Sequence, residues 1–159
     1  MKVIVKNATV IDANSSHHGN TVDIRMENGI ITQIAENIDS TGTTIIDGKG
    51  GFISPGWCDM RANFCEPGYE HKEDLESGML AAMAGGFTAV AITPETKPIL
   101  HSKAEIEFVK GKAQNALIDL LPYGAITHNL DGLNLAEMYD MKNSGAIGFS
   151  NGNTSIANA

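Results

Sequence analysis

Few residues of this sequence have the type and spacing that metal binding or nucleophilic catalysis requires. The two cysteines, Cys58 and Cys65, are seven positions apart, so they form neither a CxxC metal pair nor a disulfide framework. His17 and His18 fall in a polar turn, where solvated side chains are expected. There is no GxGxxG after the first strand and no GxxxxGK followed by Ser or Thr, which argues against dinucleotide and nucleoside triphosphate binding.

Length and charge restrict the class of protein further. The chain has 159 residues, enough for a domain with a real core. Its 19 Asp+Glu against 11 Lys+Arg give a formal charge of -8, so no concentrated basic surface for nucleic acid is expected. No apolar run approaches the ~20 residues of a membrane helix. The N-terminus lacks the pattern of a signal peptide and the thiols are expected to be reduced, so we predict a cytoplasmic protein.

The first fifty residues have the pattern of strands joined by turns. Val22, Ile24 and Met26 alternate with polar residues, which is the period of a half-buried strand. Asn28-Gly29 follows this strand and is a strong hairpin signal. We therefore predict a small antiparallel β-sandwich portion over residues 1–53.

From residue 54 to residue 159, strands alternate with helices. The continuous apolar run 87–92 is typical of a strand covered on both faces. Ser102 and Glu105 have the spacing of a capping box. Helices are predicted over residues 70–85, 103–112 and 133–142. The resulting β-α-β-α-β-α-β order implies parallel strands with right-handed crossovers, as in a doubly wound sheet or a (β/α)8 barrel.

Three stretches of the sequence carry a family resemblance. They are VID (10–12) with MENGIITQI (26–34), IIDGKG (45–50) with SPGWCD (54–59), and EPGYEHKED (66–74) with AGGFT (84–88). The first two resemble the amidohydrolase superfamily, and the third resembles dihydroorotase in particular. The resemblance implies a small β-sandwich beside a TIM-type (β/α)8 barrel, with one or two Zn²⁺ at the mouth formed by the carboxyl ends of the barrel strands. It also implies the family reaction of pyrimidine biosynthesis, the reversible hydrolysis of dihydroorotate to N-carbamoyl-aspartate.

A complete barrel needs about 250 residues. The fold class implied for this chain is therefore α/β, with the first four β/α units of the barrel, its N-terminal half, following the sandwich portion. We expect the C-terminal half to exist as further chain or as a separate fragment.

The resemblance places two metal ligands in an Asp-x-His-x-His run after the first barrel strand, where this sequence has DMRAN (59–63). Arg61 and Asn63 therefore replace the histidines. A guanidinium is always cationic and has no acceptor, so it cannot bind Zn²⁺. An aspartate that approaches the metals after the fourth strand is replaced by Asn151, a poor zinc ligand. We predict that no metal binds at these three residues and that the chain contains no catalytic residue.

Two substrate positions implied by the resemblance are also exchanged. Cys65 stands where the family has an arginine that holds the substrate carboxylate, and a thiol cannot make that charge-assisted fork. Glu95 stands where the family has a substrate-binding asparagine, and its carboxylate would repel a dianionic substrate. Because neighbouring strands would bring Arg61 and Glu95 to the same end of the barrel, we predict a contact between them, direct or through one water.

Three functional hypotheses remain open, so the sequence does not decide whether the protein is an enzyme. The first is a dihydroorotase-like protein that has lost catalysis and serves as a scaffold. Its expected partners are the C-terminal half of the same protein, further copies of itself in a homo-oligomer, and aspartate transcarbamoylase. The second is an active zinc amidohydrolase with ligands from the C-terminal half, for which His128 is the histidine of this chain to test. The third is a stand-alone binding domain.

Overall fold

A computed structural model describes residues 1–156 and divides into two units, Met1–Pro55 and the residues from Gly56 onward. The first unit is a five-stranded sheet. Its strands are β1 (Lys2–Val10), β2 (Thr21–Glu27), β3 (Ile30–Ala35), β4 (Thr44–Asp47) and β5 (Phe52–Ile53). The predicted hairpin is confirmed, because β2 and β3 pair antiparallel through Asn28 and Gly29, both at positive φ.

The prediction that this unit is antiparallel is wrong for β4 and β5, which both pair parallel with β1. Residues 36–43 return the chain to the free edge of β1, so that β4 runs in the same direction as β1. Ile38 anchors this connection, since its N–H donates to Asp23 Oδ2 at 3.0 Å and its carbonyl accepts from Lys6 Nζ at 3.0 Å. Burial alone would raise the pKa of Asp23, but the N–H groups of Ile38 and Asn7 and the Lys6 ammonium together lower it.

The second unit has four strands with helices between them, as predicted. Its elements are β6 (Trp57–Ala62), α1 (Leu75–Ala84), β7 (Phe87–Ile92), α2 (Lys103–Lys112), β8 (Asp119–Ala125), a 3₁₀ turn (His128–Leu130), α3 (Met138–Asn143) and β9 (Gly148–Ser150). The strands pair in the order β6-β7-β8-β9, and every pair is parallel. All four carboxyl ends therefore lie along one edge of the sheet.

The core of this unit consists of apolar side chains from the strands and helices. Its buried members are Leu75, Met79, Val90, Ile92, Leu100, Ile106, Val109, Ile118, Leu120, Ala136, Met141 and Ala146. Phe64, just after β6, packs against α1 at Gly78, where a Cβ atom would come within 2.6 Å of the aromatic ring. The loop after β6 is thus fixed to α1 by a contact that only glycine permits.

The boundaries of two helices differ from the prediction. α1 begins at Leu75 rather than at residue 70, because the Asp74 side chain accepts a hydrogen bond from the Ser77 N–H and so caps the helix there. α3 is much shorter than the predicted 133–142. In contrast, α2 has the predicted bounds, and the capping box between Ser102 and Glu105 is confirmed.

Glu66 joins the loop after β6 to both neighbouring helices. Its side chain is buried, Oε2 accepts from the N–H of Leu75 at 2.9 Å, and Oε1 lies 2.8 Å from Lys112 Nζ. The hydrogen bond and the charge of Glu66 raise the pKa of Lys112, whose ammonium remains half exposed. A buried carboxylate with both oxygens satisfied in this way holds the start of α1 against the end of α2.

Replacing Glu66 with alanine should lower the free energy of unfolding by about 2 kcal/mol, because the Leu75 N–H and the Lys112 ammonium lose their partner. The matched control is Glu76→Ala, which removes an exposed carboxylate from α1 and should change stability by less than about 0.5 kcal/mol. Urea unfolding of the full-length protein measures both. Equal losses in the two variants would contradict a structural role for Glu66.

Candidate functional site

The candidate site is the edge at which β6, β7, β8 and β9 have their carboxyl ends. We call the four loops that follow these strands the mouth; they comprise residues 63–74, 93–102, 126–137 and 151–156. Arg61 lies one residue before the end of β6, at an irregularity in the strand. β6 advances three residues from the pair Asp59↔Val90 to the pair Ala62↔Ile92, while β7 advances two. This bulge, in which Asp59 Oδ1 accepts from the Arg61 N–H at 2.8 Å, interrupts the alternation of side chains along β6.

Asn63 and Cys65 form a tight turn after β6. The Oδ1 atom of Asn63 accepts from the Cys65 N–H at 2.8 Å, and Cys65 has a positive φ of 62°. The Cys65 thiol lies 3.9 Å from the Asn63 carbonyl oxygen. The Asn63 carboxamide is therefore engaged in shaping its own loop, as asparagine does in Asx turns.

Arg61 and Glu95 are brought together at the mouth, but they are not in direct contact. Arg61 Nη2 donates to Asn153 Oδ1 at 3.0 Å, and the Asn153 N–H donates to Glu95 Oε1 at 3.1 Å. The direct form of the predicted contact is not found, since Asn153 from the loop after β9 bridges the two side chains, and the form through one water stays a prediction. Gly152, at φ +59°, packs so closely on Glu95 that a Cβ atom there would lie 2.5 Å from Glu95 Cδ.

Asn151 is buried, and both the oxygen and the nitrogen of its carboxamide form hydrogen bonds with neighbouring residues. Its Oδ1 atom accepts from the Thr127 N–H at 3.2 Å and from the Thr127 hydroxyl at 2.7 Å, while its Nδ2 donates to the Thr154 carbonyl at 3.2 Å. The Thr127 hydroxyl in turn accepts from the Gly132 N–H at 3.0 Å. These bonds join the loop after β9 to the loop after β8.

His128 is paired with a second histidine that the sequence did not single out. The rings of His128 and His101 are 5.1 Å apart and meet edge to face. The carboxylate of the nearby Asp131 already accepts hydrogen bonds from the N–H of Leu133 and the side chain of Asn134. These bonds lower the pKa of Asp131 to about 2. Two imidazoles alone fall short of the four ligands of a structural zinc or the three of a catalytic zinc.

The mouth does not fit the zinc ion that the family resemblance implies. Within residues 1–156, no three His, Cys, Asp or Glu side chains are grouped so as to hold a metal ion. The family's metal positions hold one guanidinium and two carboxamides, and both carboxamide oxygens already accept hydrogen bonds. Whether the whole protein binds metal stays a prediction.

A cavity of about 530 Å³ lies between α1 and the segment before β8, and Glu66, Glu70 and Asp74 of the first mouth loop help to line it. Its apolar wall includes Leu75, Met79 and Leu117, and acidic side chains such as Glu70 lie at its rim. Arg61 and the other exchanged positions are not among the residues that line it. We therefore place the candidate site at the mouth because of the chemistry of its residues, and not because of the volume of a cavity.

A sequence model of the family described as Dihydro-orotase-like matches residues 50–159. The chain belongs to this family. It is 36% identical over 160 residues to a dihydroorotase of Ruminiclostridium cellulolyticum and 37% identical over 160 residues to one of Thermoanaerobacter sp.. Each alignment covers 100% of this chain and 37% of the relative, so the chain spans little more than a third of the length of these dihydroorotases.

Solved structures agree with the family assignment. The L-hydantoinase (dihydropyrimidinase) of Arthrobacter aurescens superposes with a TM-score of 0.74 at 26% identity, covering 92% of this chain and 32% of that one. A D-hydantoinase superposes with a TM-score of 0.64 at 30% identity, covering 80% and 28%. A crystal structure of a dihydroorotase has a TM-score of 0.64 at 12% identity, which supports the fold alone. The parallel sheet of the second unit thus resembles part of the barrel of these structures, and the first unit is a small mixed sheet.

The residues that connect the mouth, Asn153 and Thr127, were not predicted from the sequence. The only local signal was the run Asn-Gly-Asn at 151–153, which marks a turn after a strand. Their partners lie in other loops, and a hydrogen bond between residues 61 and 153 leaves no trace in local periodicity. Within residues 1–156, no helix is long and apolar enough to cross a membrane.

Replacing Asn151 with aspartate, the residue type implied by the family, should lower the free energy of unfolding by about 1–2 kcal/mol. A carboxylate oxygen would then face the Thr154 carbonyl, where the Asn151 amide now donates. The control is Asn20→Asp, at an exposed position of the first unit whose side chain makes no hydrogen bond within residues 1–156. Urea unfolding of the full-length protein should separate the two, and a variant as stable as the wild type would show that the aspartate is accommodated.

Proposed function

We propose that this chain is the N-terminal part of a dihydroorotase-family protein that does not hydrolyse dihydroorotate and acts as a scaffold or partner in pyrimidine biosynthesis. One observation carries the proposal: the three side chains at the family's metal positions all form hydrogen bonds within the protein. Arg61 is bonded to Asn153, Asn63 to the Cys65 backbone, and Asn151 to Thr127.

The chemistry of amide hydrolysis explains why this observation favours inactivity. A metal-assisted reaction needs imidazole or carboxylate ligands to hold the ion that activates the attacking water. At the family's metal positions this chain offers a guanidinium and two carboxamides, which supply neither. The same side chains are also poor general bases at neutral pH, because none of them takes up a proton there.

The exchanged substrate positions support the same conclusion. A carboxylate substrate is held best by cationic or neutral donors, and arginine does this with a bidentate fork. Cys65 offers a thiol instead, and Glu95 adds a negative charge to the mouth. The two exchanges would weaken substrate binding even if an ion were held by other residues.

A scaffold requires partners, and three are proposed from the family and from the share of its members that this chain spans. The first is the C-terminal half of the same protein, because the chain spans 37% of the dihydroorotases it matches. Further copies in a homo-oligomer and aspartate transcarbamoylase are the others. The formal charge of -8 makes nucleic acid an unfavourable partner.

The alternative is an active zinc amidohydrolase whose ligands come mainly from the C-terminal half. The pair His101 and His128 favours it, since two imidazoles at the mouth lack only further ligands. Metal analysis of the purified full-length protein discriminates between the two functions. A stoichiometric zinc content would favour the alternative.

The full-length protein, assayed with dihydroorotate and with N-carbamoyl-aspartate in the presence of added Zn²⁺, should give no turnover above the buffer. The dihydroorotase of Ruminiclostridium cellulolyticum, assayed beside it, is the positive control. Turnover that depends on zinc would overturn the proposed inactivity and establish the alternative.

Restoring the two histidines in the double variant Arg61→His, Asn63→His should not restore turnover. Asn151 would still be bonded to Thr127, and Cys65 and Glu95 would still bind the substrate poorly. Zinc content and dihydroorotate hydrolysis are measured on the same preparation of the variant. Measurable hydrolysis would show that the histidines alone are what this mouth lacks.

A further inference from the structure

We propose that Arg61, Asn153 and Glu95 form a protein-only clasp that holds the mouth together in place of a metal ion. The proposal takes the mouth to be metal-free, and in that respect it rests on the proposed function. The clasp joins β6 and two loops that are remote in the sequence: Arg61 near the end of β6, Glu95 after β7 and Asn153 after β9.

The geometry of the clasp is that of two ordinary hydrogen bonds in series. Arg61 Nη2 lies 3.0 Å from Asn153 Oδ1, and Asn153 N lies 3.1 Å from Glu95 Oε1. Each bond has one charged partner, and such bonds are stronger than those between neutral groups. Asn153 contributes an acceptor to the cation and a donor to the anion, so a single residue satisfies both charges.

The backbone conformation of Gly152 brings Asn153 close to Glu95. Gly152 has a φ of +59° and packs directly against the Glu95 carboxyl group, where any Cβ atom would lie 2.5 Å from Cδ. The glycine therefore lets the chain approach closely enough for the Asn153 N–H to reach Glu95. Left-handed backbone of this kind is disfavoured for most side chains, which makes the turn specific to the sequence that is present.

The same turn is tied to the remaining loop of the mouth. Asn151, two residues before Asn153, is bonded to Thr127 in the loop after β8, and Thr127 is bonded to Gly132. The turn 151–153 thus contacts β6 and the loops after β7 and β8. A metal ion bound by ligands from several strands would connect the same segments, and here hydrogen bonds do so.

Hydrogen exchange of the full-length protein tests the bond to Glu95. The Glu95→Ala variant should speed exchange of the Asn153 amide at least about ten-fold, because this N–H loses its acceptor. Exchange is measured on the proteolytic fragment that covers residues 149–156. Glu95→Gln keeps an acceptor oxygen and should retain most of the protection. The Leu133 amide, bonded to Asp131, is the internal control and should not change. Unchanged exchange at Asn153 in Glu95→Ala would overturn the clasp.

A double-mutant cycle tests the bond to Arg61. Arg61→Ala and Asn153→Ala should each lower the folding equilibrium constant about five-fold, and the double variant should also lose about five-fold rather than about twenty-five-fold. Lys97→Ala, which removes an exposed cation after β7, should combine additively with Asn153→Ala. Additive losses for Arg61 and Asn153 would overturn the clasp.

The wild type should unfold at the same urea concentration with EDTA and with added Zn²⁺, because hydrogen bonds hold its mouth. Stabilisation by Zn²⁺ would overturn the clasp as a substitute for metal. The two proposals fail separately. Hydrolysis of dihydroorotate by a protein with coupled Arg61 and Asn153, and with no stabilisation by Zn²⁺, would refute the proposed inactivity and leave the clasp. Additive losses without hydrolysis would refute the clasp and leave the inactivity.

Discussion

Strands that run in the same direction end at the same edge of their sheet, and the candidate site follows from this constraint. β6, β7, β8 and β9 are all paired in parallel, so the loops after them must meet. Loops at such an edge carry backbone N–H and carbonyl groups that need partners. In this chain the loops themselves supply partners for three backbone N–H groups, through the side chains of Asn63, Asn151 and Glu95.

A divalent ion and a cluster of hydrogen bonds can each hold together loops that follow different strands. The ion gathers carboxylates and imidazoles by its charge, and a protein built for it leaves a strongly charged set of ligands when the ion is absent. At this mouth the charge of Arg61 is balanced by that of Glu95 across a neutral amide.

Local patterns predicted those elements whose causes are local. The apolar run of β7 and the capping box of α2 are determined by neighbours within a few residues, and both agree with the structure. The start of α1 was placed too early, because acidic residues before Leu75 read as a first helical turn, whereas Asp74 caps the helix and Glu66 receives the Leu75 N–H.

Features that depend on distant partners could not be predicted from one sequence. The parallel pairing of β4 with β1 follows from how residues 36–43 pass over the sheet, and the bulge in β6 follows from its register with β7. The exchanged positions of the mouth were found because a family resemblance pointed to them. That Asn153 separates Arg61 from Glu95 required coordinates, because the three residues come together only in the folded chain.

The close packing of Gly152 on Glu95 has an evolutionary consequence. A side chain at residue 152 would strike the Glu95 carboxyl group and push it away from the Asn153 N–H, so the effect of a mutation at one position depends on the residue at the other. The two positions are therefore epistatic, and the order of changes matters. Any side chain at residue 152 requires the Glu95 carboxyl group to turn aside and give up the Asn153 N–H, so selection on one position acts on the other.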